Sequence, residues 1–249
     1  RNLPIFHEKI KTASVRKTQN DPDVAPYLPD TMHLEPMWIP LGKAKSLYTH
    51  IANDLRQLLM EAQELFGTSF SIEAHYGQGY QVGSPADQMR GQIMSRITAL
   101  RMLCDHPQLL VDSANKFAKQ DGEGSEYAFA LKEQGHLENF KSNKREAVVQ
   151  YVEEHLDIDE NHKVVIFTTY LGMLPILEKA LAQKNITSTL YSGLMNAKEK
   201  EASKTLFQTS KDVRVLISTD AGGYGVDLPQ ANLLINYDLP WSAGTAVQR

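Results

Sequence analysis

Apolar residues follow two different rhythms along this chain. Over 43–66 they recur as Leu47, Ile51, Leu55, Leu58, Leu59, Ala62 and Leu65, the spacing of one helical face, and Gly67 stands where that helix would end. Met89, Ile93, Ile97, Leu100 and Cys104 share the face of a second helix. His106-Pro107 stops it, because the residue before a proline disfavours the α region. Within 143–156, Ala147, Val148, Tyr151, Val152 and His155 form another helical stripe. Beyond Lys163 the rhythm changes. Blocks of strand length, rich in β-branched residues, occupy 164–167, 186–191, 213–217 and 232–236. A helix is expected over 171–184, with Pro175 near its first turn, where proline is tolerated. Another starts at Asn196, which Glu199 partners in a capping-box pattern. Strands alternating with helices of this length predict a parallel sheet.

The connecting stretches set the expected domains. Prolines at 4, 22, 26, 29, 36 and 40 keep residues 1–40 irregular. Gly77, Gly79, Gly83 and Pro85 make 67–87 a loop or hairpin excursion. The polar run 113–134, with Asp121-Gly122-Glu123-Gly124-Ser125, reads as a mobile boundary. An irregular linker (1–40), a helical region (41–135) and an α/β domain (136–249) are therefore expected. The composition, 42% hydrophobic and 22% charged over 249 residues, is that of a globular protein with ample core. No apolar run approaches the ~18 residues of a membrane span and no signal peptide opens the chain, so no membrane partner is expected. The one cysteine, Cys104, cannot form an internal disulfide and fits a reducing compartment. A net charge of −4 argues against a wholesale basic nucleic-acid surface. A local groove stays open, since phosphates feel charge within a Debye length.

Candidate chemistry gathers at the strand ends. Three predicted strands run into Thr168-Thr169, Ser192-Gly193 and Ser218-Thr219. A parallel sheet brings all three pairs to its carboxyl edge, where ligands of open α/β sheets collect. Hydroxyls and free amides there can hold a nucleic-acid backbone without reading its sequence. Ordinary turn chemistry also favours these residue types, and only the three pairs together point to function. Gly222, Gly223 and Gly225 crowd the turn after Asp220, and such bare backbone suits a phosphate-rich ligand. Gly223-Tyr224-Gly225 imitates a dinucleotide fingerprint, but Leu228 stands where its third glycine belongs. Cys104, Asp105 and His106 are adjacent and cannot easily converge on one metal ion, so no metal site is expected. No GxxxxGK[ST] loop occurs to cradle β- and γ-phosphates.

The runs STDAGGYGVDL (218–228) and NYDLPW (236–241), with Gln248-Arg249, resemble the fifth motif and the start of the sixth in superfamily-two helicases. Leu100-Arg101-Met102-Leu103-Cys104-Asp105-His106-Pro107 resembles the Leu-Arg-x-x-Cys-x-His-Pro signature of the Swi/Snf-type branch. Ser14-Val15-Arg16-Lys17-Thr18 and Tyr27-Leu28-Pro29 are similar to signals that precede the second motor lobe there. The resemblance implies a RecA-like helicase C-terminal lobe, of P-loop NTPase type without the phosphate loop, preceded by a lobe-linking helical insertion. Asp159-Glu160-Asn161-His162 spells the DExH pattern of that superfamily but precedes a strand instead of ending one, a chance match.

In such proteins the positions matching Thr168, Thr169, Ser192, Gly193, Ser218 and Thr219 track phosphates along one DNA strand. Gly225-Val226-Asp227 resembles a Gly-x-Asp whose carboxylate contacts the nucleotide ribose, which makes Gly225 and Asp227 the candidate cofactor-binding residues. Many Swi/Snf-type members carry Asn there, and an Asp capping the next turn is the alternative. Two arginines that stabilise phosphoryl transfer would lie about three and six residues past Arg249, which is not one of them. The resemblance implies the second lobe of an ATP-driven translocase on double-stranded DNA. Its partner is the first RecA-like lobe, which mainly holds the Mg ion of an ATP bound between the two lobes. No catalytic residue is expected in this chain, which alone would not hydrolyse ATP. A non-catalytic RecA-like binding module and an RNA-acting helicase are the rival expectations. The location expected is cytoplasmic, or nuclear in a eukaryote.

Overall fold

The computed structural model describes residues 34–67, 82–120, 124–137, 141–220 and 227–248, with residues 8–9, 21–24, 26, 32 and 70 besides. The chain divides into two compact units, Arg1–Trp38 and Ile39–Arg249, and the second carries every element named below. The motif-like runs at 14–18 and 27–29 lie outside the described residues.

Helix α1 (Lys45–Phe66) ends at Gly67, whose φ of 58° only glycine adopts readily. It buries Leu47, Ile51 and Ala62, while Leu59 and Leu65 face outward, so the expected stripe is wider than the face that packs. Helix α2 (Pro85–Asp105) starts at Ser84, which accepts a hydrogen bond from the Asp87 amide, with Pro85 in the first position. The excursion expected over 67–87 thus yields its last residues to a helix, and residues 71–81 lie outside the described residues.

The expectation of a polar, mobile boundary over 113–134 is corrected by two packed helices, α3 (Pro107–Ala118) and α4 (Glu126–Glu133). Pro107 not only stops α2; it opens α3, and His106 is at once the C-cap of one and the N-cap of the other. The apolar residues here are sparse but fall at helical spacing. Leu110, Ala114, Tyr127, Ala128 and Leu131 are buried together against Ala44, Leu47 and Ile51. Gly124, with φ of 101°, lets the chain turn so closely that an added Cβ would collide with the Ser113 carbonyl.

The rest is a three-layer α/β arrangement. Its elements are α5 (Asn143–Ile158), β1 (Val164–Phe167), α6 (Met173–Ala182), β2 (Thr187–Tyr191), α7 (Ala197–Thr209), β3 (Val213–Ser218), β4 (Leu233–Asn236) and α8 (Ala243–Gln248). The strands run in the order β2-β3-β1-β4, all parallel, as the alternating pattern predicts. Alternate residues of β1 and β3 point to opposite faces. Val164, Ile166, Val215 and Ile217 pack with α5 and α6, while Val165, Phe167 and Leu216 pack with Phe207 of α7. Helix α5 buries Val148, Val149, Val152 and Leu156, a face rotated from the expected one, and leaves Ala147, Tyr151 and His155 half-buried on its flank. The capping box at α7 forms as expected, with Asn196 and Glu199 each accepting from the other's amide.

Two cations hold the amino edge of the sheet. Lys163, buried before β1, donates to the carbonyls of Phe207 and Ser210 (2.7 Å) at the C-terminal end of α7 and of Val213 (3.4 Å) at the start of β3. Burial, then the nearby Arg214 charge, pushes its pKa down. Arg214 donates to the carbonyls of Leu156 (2.6 Å) and Asp159 (2.5 Å) at the end of α5 and of His162 (3.0 Å) in the turn before β1. Lys163→Met strands the buried α7 carbonyls and should lower the unfolding free energy by about 2 kcal/mol. Urea unfolding reads this directly, and a midpoint equal to the parent's would contradict it.

Candidate nucleic-acid interface

In the sheet register, Phe167 lies beside both Ser218 and Asn236, and Tyr191 beside Ser218. All four strands therefore end level, and Thr168-Thr169, Ser192-Gly193 and Ser218-Thr219 emerge together on the carboxyl edge. The strand ends are stitched by backbone bonds. Thr168 N donates to Ser218 O (2.9 Å), Thr219 N to Tyr191 O (3.0 Å) and Tyr237 N to Phe167 O (2.8 Å).

The six residues differ in what they offer to a ligand. Gly193 is exposed and Thr169 half-buried, whereas Ser192 and Thr219 are buried and Thr168 and Ser218 have no exposure at all. The Ser218 hydroxyl donates to the Thr219 carbonyl at 2.8 Å. The β1 turn is held by Asp238, which lies in the NYDLPW run but has no role assigned from sequence. Its carboxylate accepts from Thr168 Oγ1 (2.6 Å), Thr169 Oγ1 (2.5 Å) and Thr169 N (2.9 and 3.0 Å). Thr168 Oγ1 in turn accepts from the Tyr170 amide at 3.3 Å. An acidic residue just after a fourth strand, level with two threonines, was the available signal. It becomes informative only once β4 is known to lie beside β1.

Of the nucleotide candidates, Asp227 is exposed, and its carbonyl accepts from Gln208 Nε2 of α7 at 3.1 Å. Gly225 lies outside the described residues. Asp105 and His106 are committed to structure, and Cys104 is a free thiol. The Asp105 carboxylate pairs with Lys144 at 2.6 Å, and His106 Nδ1 accepts from the Gln108 amide at 3.1 Å. Among the described residues no cluster of three metal-ligating side chains occurs. No helix among them is long and apolar enough to cross a membrane.

The end of α2 grips the segment after β4. Arg101 Nη2 donates to the Leu239 carbonyl at 2.5 Å, and its guanidinium lies 4.2 Å from the centre of the Trp241 ring. Tyr237 Oη donates to the Asp105 carbonyl at 2.8 Å, which also accepts from Ser142 Oγ at 3.1 Å. Lys144 Nζ sits 4.5 Å from the Tyr237 ring centre. Burial pushes the Asp105 carboxyl up to about 6, against the pull of Lys144. Burial pushes the neighbouring His106 imidazole down to about 4.

Residues 143–249 match the family described as the helicase conserved C-terminal domain. The chain is similar to the DNA excision repair protein ERCC-6-like of Danio rerio, with 28% identity over 166 residues, 62% of this chain and 11% of that protein. It is similar to the ATP-dependent helicase YqhH of Bacillus subtilis (strain 168), with 40% identity over 87 residues, 35% of this chain and 15% of that helicase. Its fold is similar to that of the Sulfolobus solfataricus SWI2/SNF2 ATPase core in complex with dsDNA. There the TM-score is 0.56 at 21% identity, over 94% of this chain and 41% of that one. The match thus spans well under a quarter of the length of these curated relatives.

The two buried titrating groups have opposite effects on stability. Asp105, raised from 3.8 to about 6, favours the folded chain below pH 4, and that contribution is lost as pH rises through 6. His106, lowered from 6.5 to about 4, favours it above pH 6.5, and that contribution is lost as pH falls towards 4. The two nearly cancel across the acid range. Asp105→Asn removes one of them, so melting temperatures recorded from pH 6.5 down to 4.5 should fall more steeply than the parent's. Parallel curves would show the Asp105 assignment to be mistaken.

Proposed function

Since residues 143–249 of this chain are a helicase conserved C-terminal domain related to those of Swi/Snf-type ATPases, we propose that it is the C-terminal motor lobe of an ATP-dependent double-stranded DNA translocase. The observation that carries the reading is the level carboxyl edge. Three hydroxyl- and glycine-ended strands converge there, and the β1 turn is locked in one conformation. A rigid, level edge suits a helical backbone whose phosphates repeat at fixed spacing, and it needs no contact with bases.

On this reading Thr169 and Gly193, the accessible members, face the phosphates, while Thr168, Ser192, Ser218 and Thr219 give the edge its shape. Gly225 and Asp227 are the nucleotide-contacting positions on this reading. The helical region, 41–135, links this lobe to the first, which supplies the phosphate loop and most of the Mg²⁺ coordination. ATP closes the two lobes, and hydrolysis then moves this lobe's grip along the strand. A cytoplasmic location, or a nuclear one in a eukaryotic cell, fits that role.

The deciding experiment measures ATP hydrolysis by a polypeptide joining this chain to its phosphate-loop lobe, without nucleic acid and then with double-stranded DNA, single-stranded DNA or RNA. Strong stimulation by double-stranded DNA is expected, with no turnover by this chain alone. Stimulation confined to RNA would replace the translocase with an RNA helicase, and no hydrolysis at all would leave a binding module. In the same assay Asp227→Ala should weaken ATP binding about tenfold, the worth of one hydrogen bond to a charged group. Unchanged ATP affinity would remove Asp227 from the nucleotide site.

A further inference from the structure

We propose that Asp238 is a positioning residue for DNA binding: its carboxylate occupies the donors of the β1 turn and so fixes the shape of the turn that the phosphates meet. The inference rests on the motor-lobe reading, and it changes which atoms do the gripping. Four donor-acceptor contacts converge on this one side chain, two from hydroxyls and two shared by the Thr169 amide. Thr168 has no exposure and Asp238 is buried as well. A phosphate could reach the Thr168 hydroxyl only by displacing a buried carboxylate from it. Two anions cannot share a donor, so the Thr168 hydroxyl and the hydroxyl and amide of Thr169 act inward, on Asp238, and the turn meets DNA through its shape.

The carboxylate is itself held from both sides. Tyr237 before it is tied to the Asp105 carbonyl, and Leu239 after it is tied to Arg101. Both anchors belong to α2, outside the α/β layers. Asp238 thereby passes the position of the helical region to the turn that carries Thr169. With the carboxylate removed, two hydroxyls and an amide lose their acceptor, and the turn relaxes towards other conformers. The consequence for DNA is a poorer fit of the edge to the phosphates, which differs from a smaller folded fraction. A poorer fit lowers the affinity of every folded molecule, whereas partial unfolding lowers only the amount of active protein.

The test titrates a fluorescent DNA duplex with the full chain at several salt concentrations, for the parent, Asp238→Ala, Asp238→Asn and Thr168→Val. Cooperative melting is checked for each, and hydrogen exchange is followed at the amides of Thr169 and Tyr170. Asp238→Ala should weaken binding about tenfold at an unchanged active fraction. Asn can still accept from Thr169 N and donate to Thr168 Oγ1, so it should restore most of the affinity. Thr168→Val should weaken binding in the same direction although its hydroxyl never reaches solvent. A folded Asp238→Ala chain with the parent's affinity overturns the inference. Should that variant fail to melt cooperatively, Thr168→Val decides by the same two results. If the parent itself does not bind the duplex, the motor-lobe reading fails. The inference fails with it, whereas faster exchange of the Thr169 and Tyr170 amides in Asp238→Ala beside weakened duplex binding supports it.

Discussion

The architecture depends on parallel pairing that brings four strand ends to one level. A parallel ladder forces each chain crossing to return through a helix, so the carboxyl ends accumulate on one side and the helix ends on the other. Here that side collects Thr168, Thr169, Ser192, Gly193, Ser218, Thr219 and Asp238 from four separate stretches of sequence. None of these residues is unusual in its own stretch. Their meaning comes from the register that places Phe167 beside both Ser218 and Asn236.

The two stretches that resemble the Swi/Snf-type branch are far apart in sequence and bonded in space. Arg101 and Asp105 come from one, and Tyr237, Leu239 and Trp241 from the other. Their joint is partly apolar, since Met102 packs against the hydrophobic clusters of both the helical region and the sheet. It is also partly ionic, through Lys144 and the buried Asp105. A carboxylate that burial holds near 6 is costly to keep ionised, and apolar packing alone would not require it. The polar bonds across the joint fix its geometry, and Leu109 and Met102 supply the adhesion.

Much of this was legible in the amino-acid order. The four strands, the Asn196–Glu199 capping box and the Gly67 stop rest on periodicity and on single residues with strong local preferences. Helices α3 and α4 were not, because their few apolar positions are interrupted by Gly124 and a proline that reads as a stop. Tertiary burial of Leu110, Tyr127 and Leu131 decides their state. The strand-end residues were legible as a group, but their division into accessible and inward-facing members was not. That division depends on Asp238, whose distance from Thr168 is set by strand order.

The amino edge has a mechanical consequence. Lys163 and Arg214 clamp the final carbonyls of α7 and α5, the helices on the two opposite faces of the sheet, with charged donors at hydrogen-bond range. Apolar side chains can slip past one another at little cost, whereas a guanidinium bound to three carbonyls cannot shift without breaking directional bonds. The sandwich is therefore riveted at its root and joined by turns at its rim. Force applied to the rim is carried back along the strands to those rivets, so the three layers share a load that apolar contact alone would let them shed.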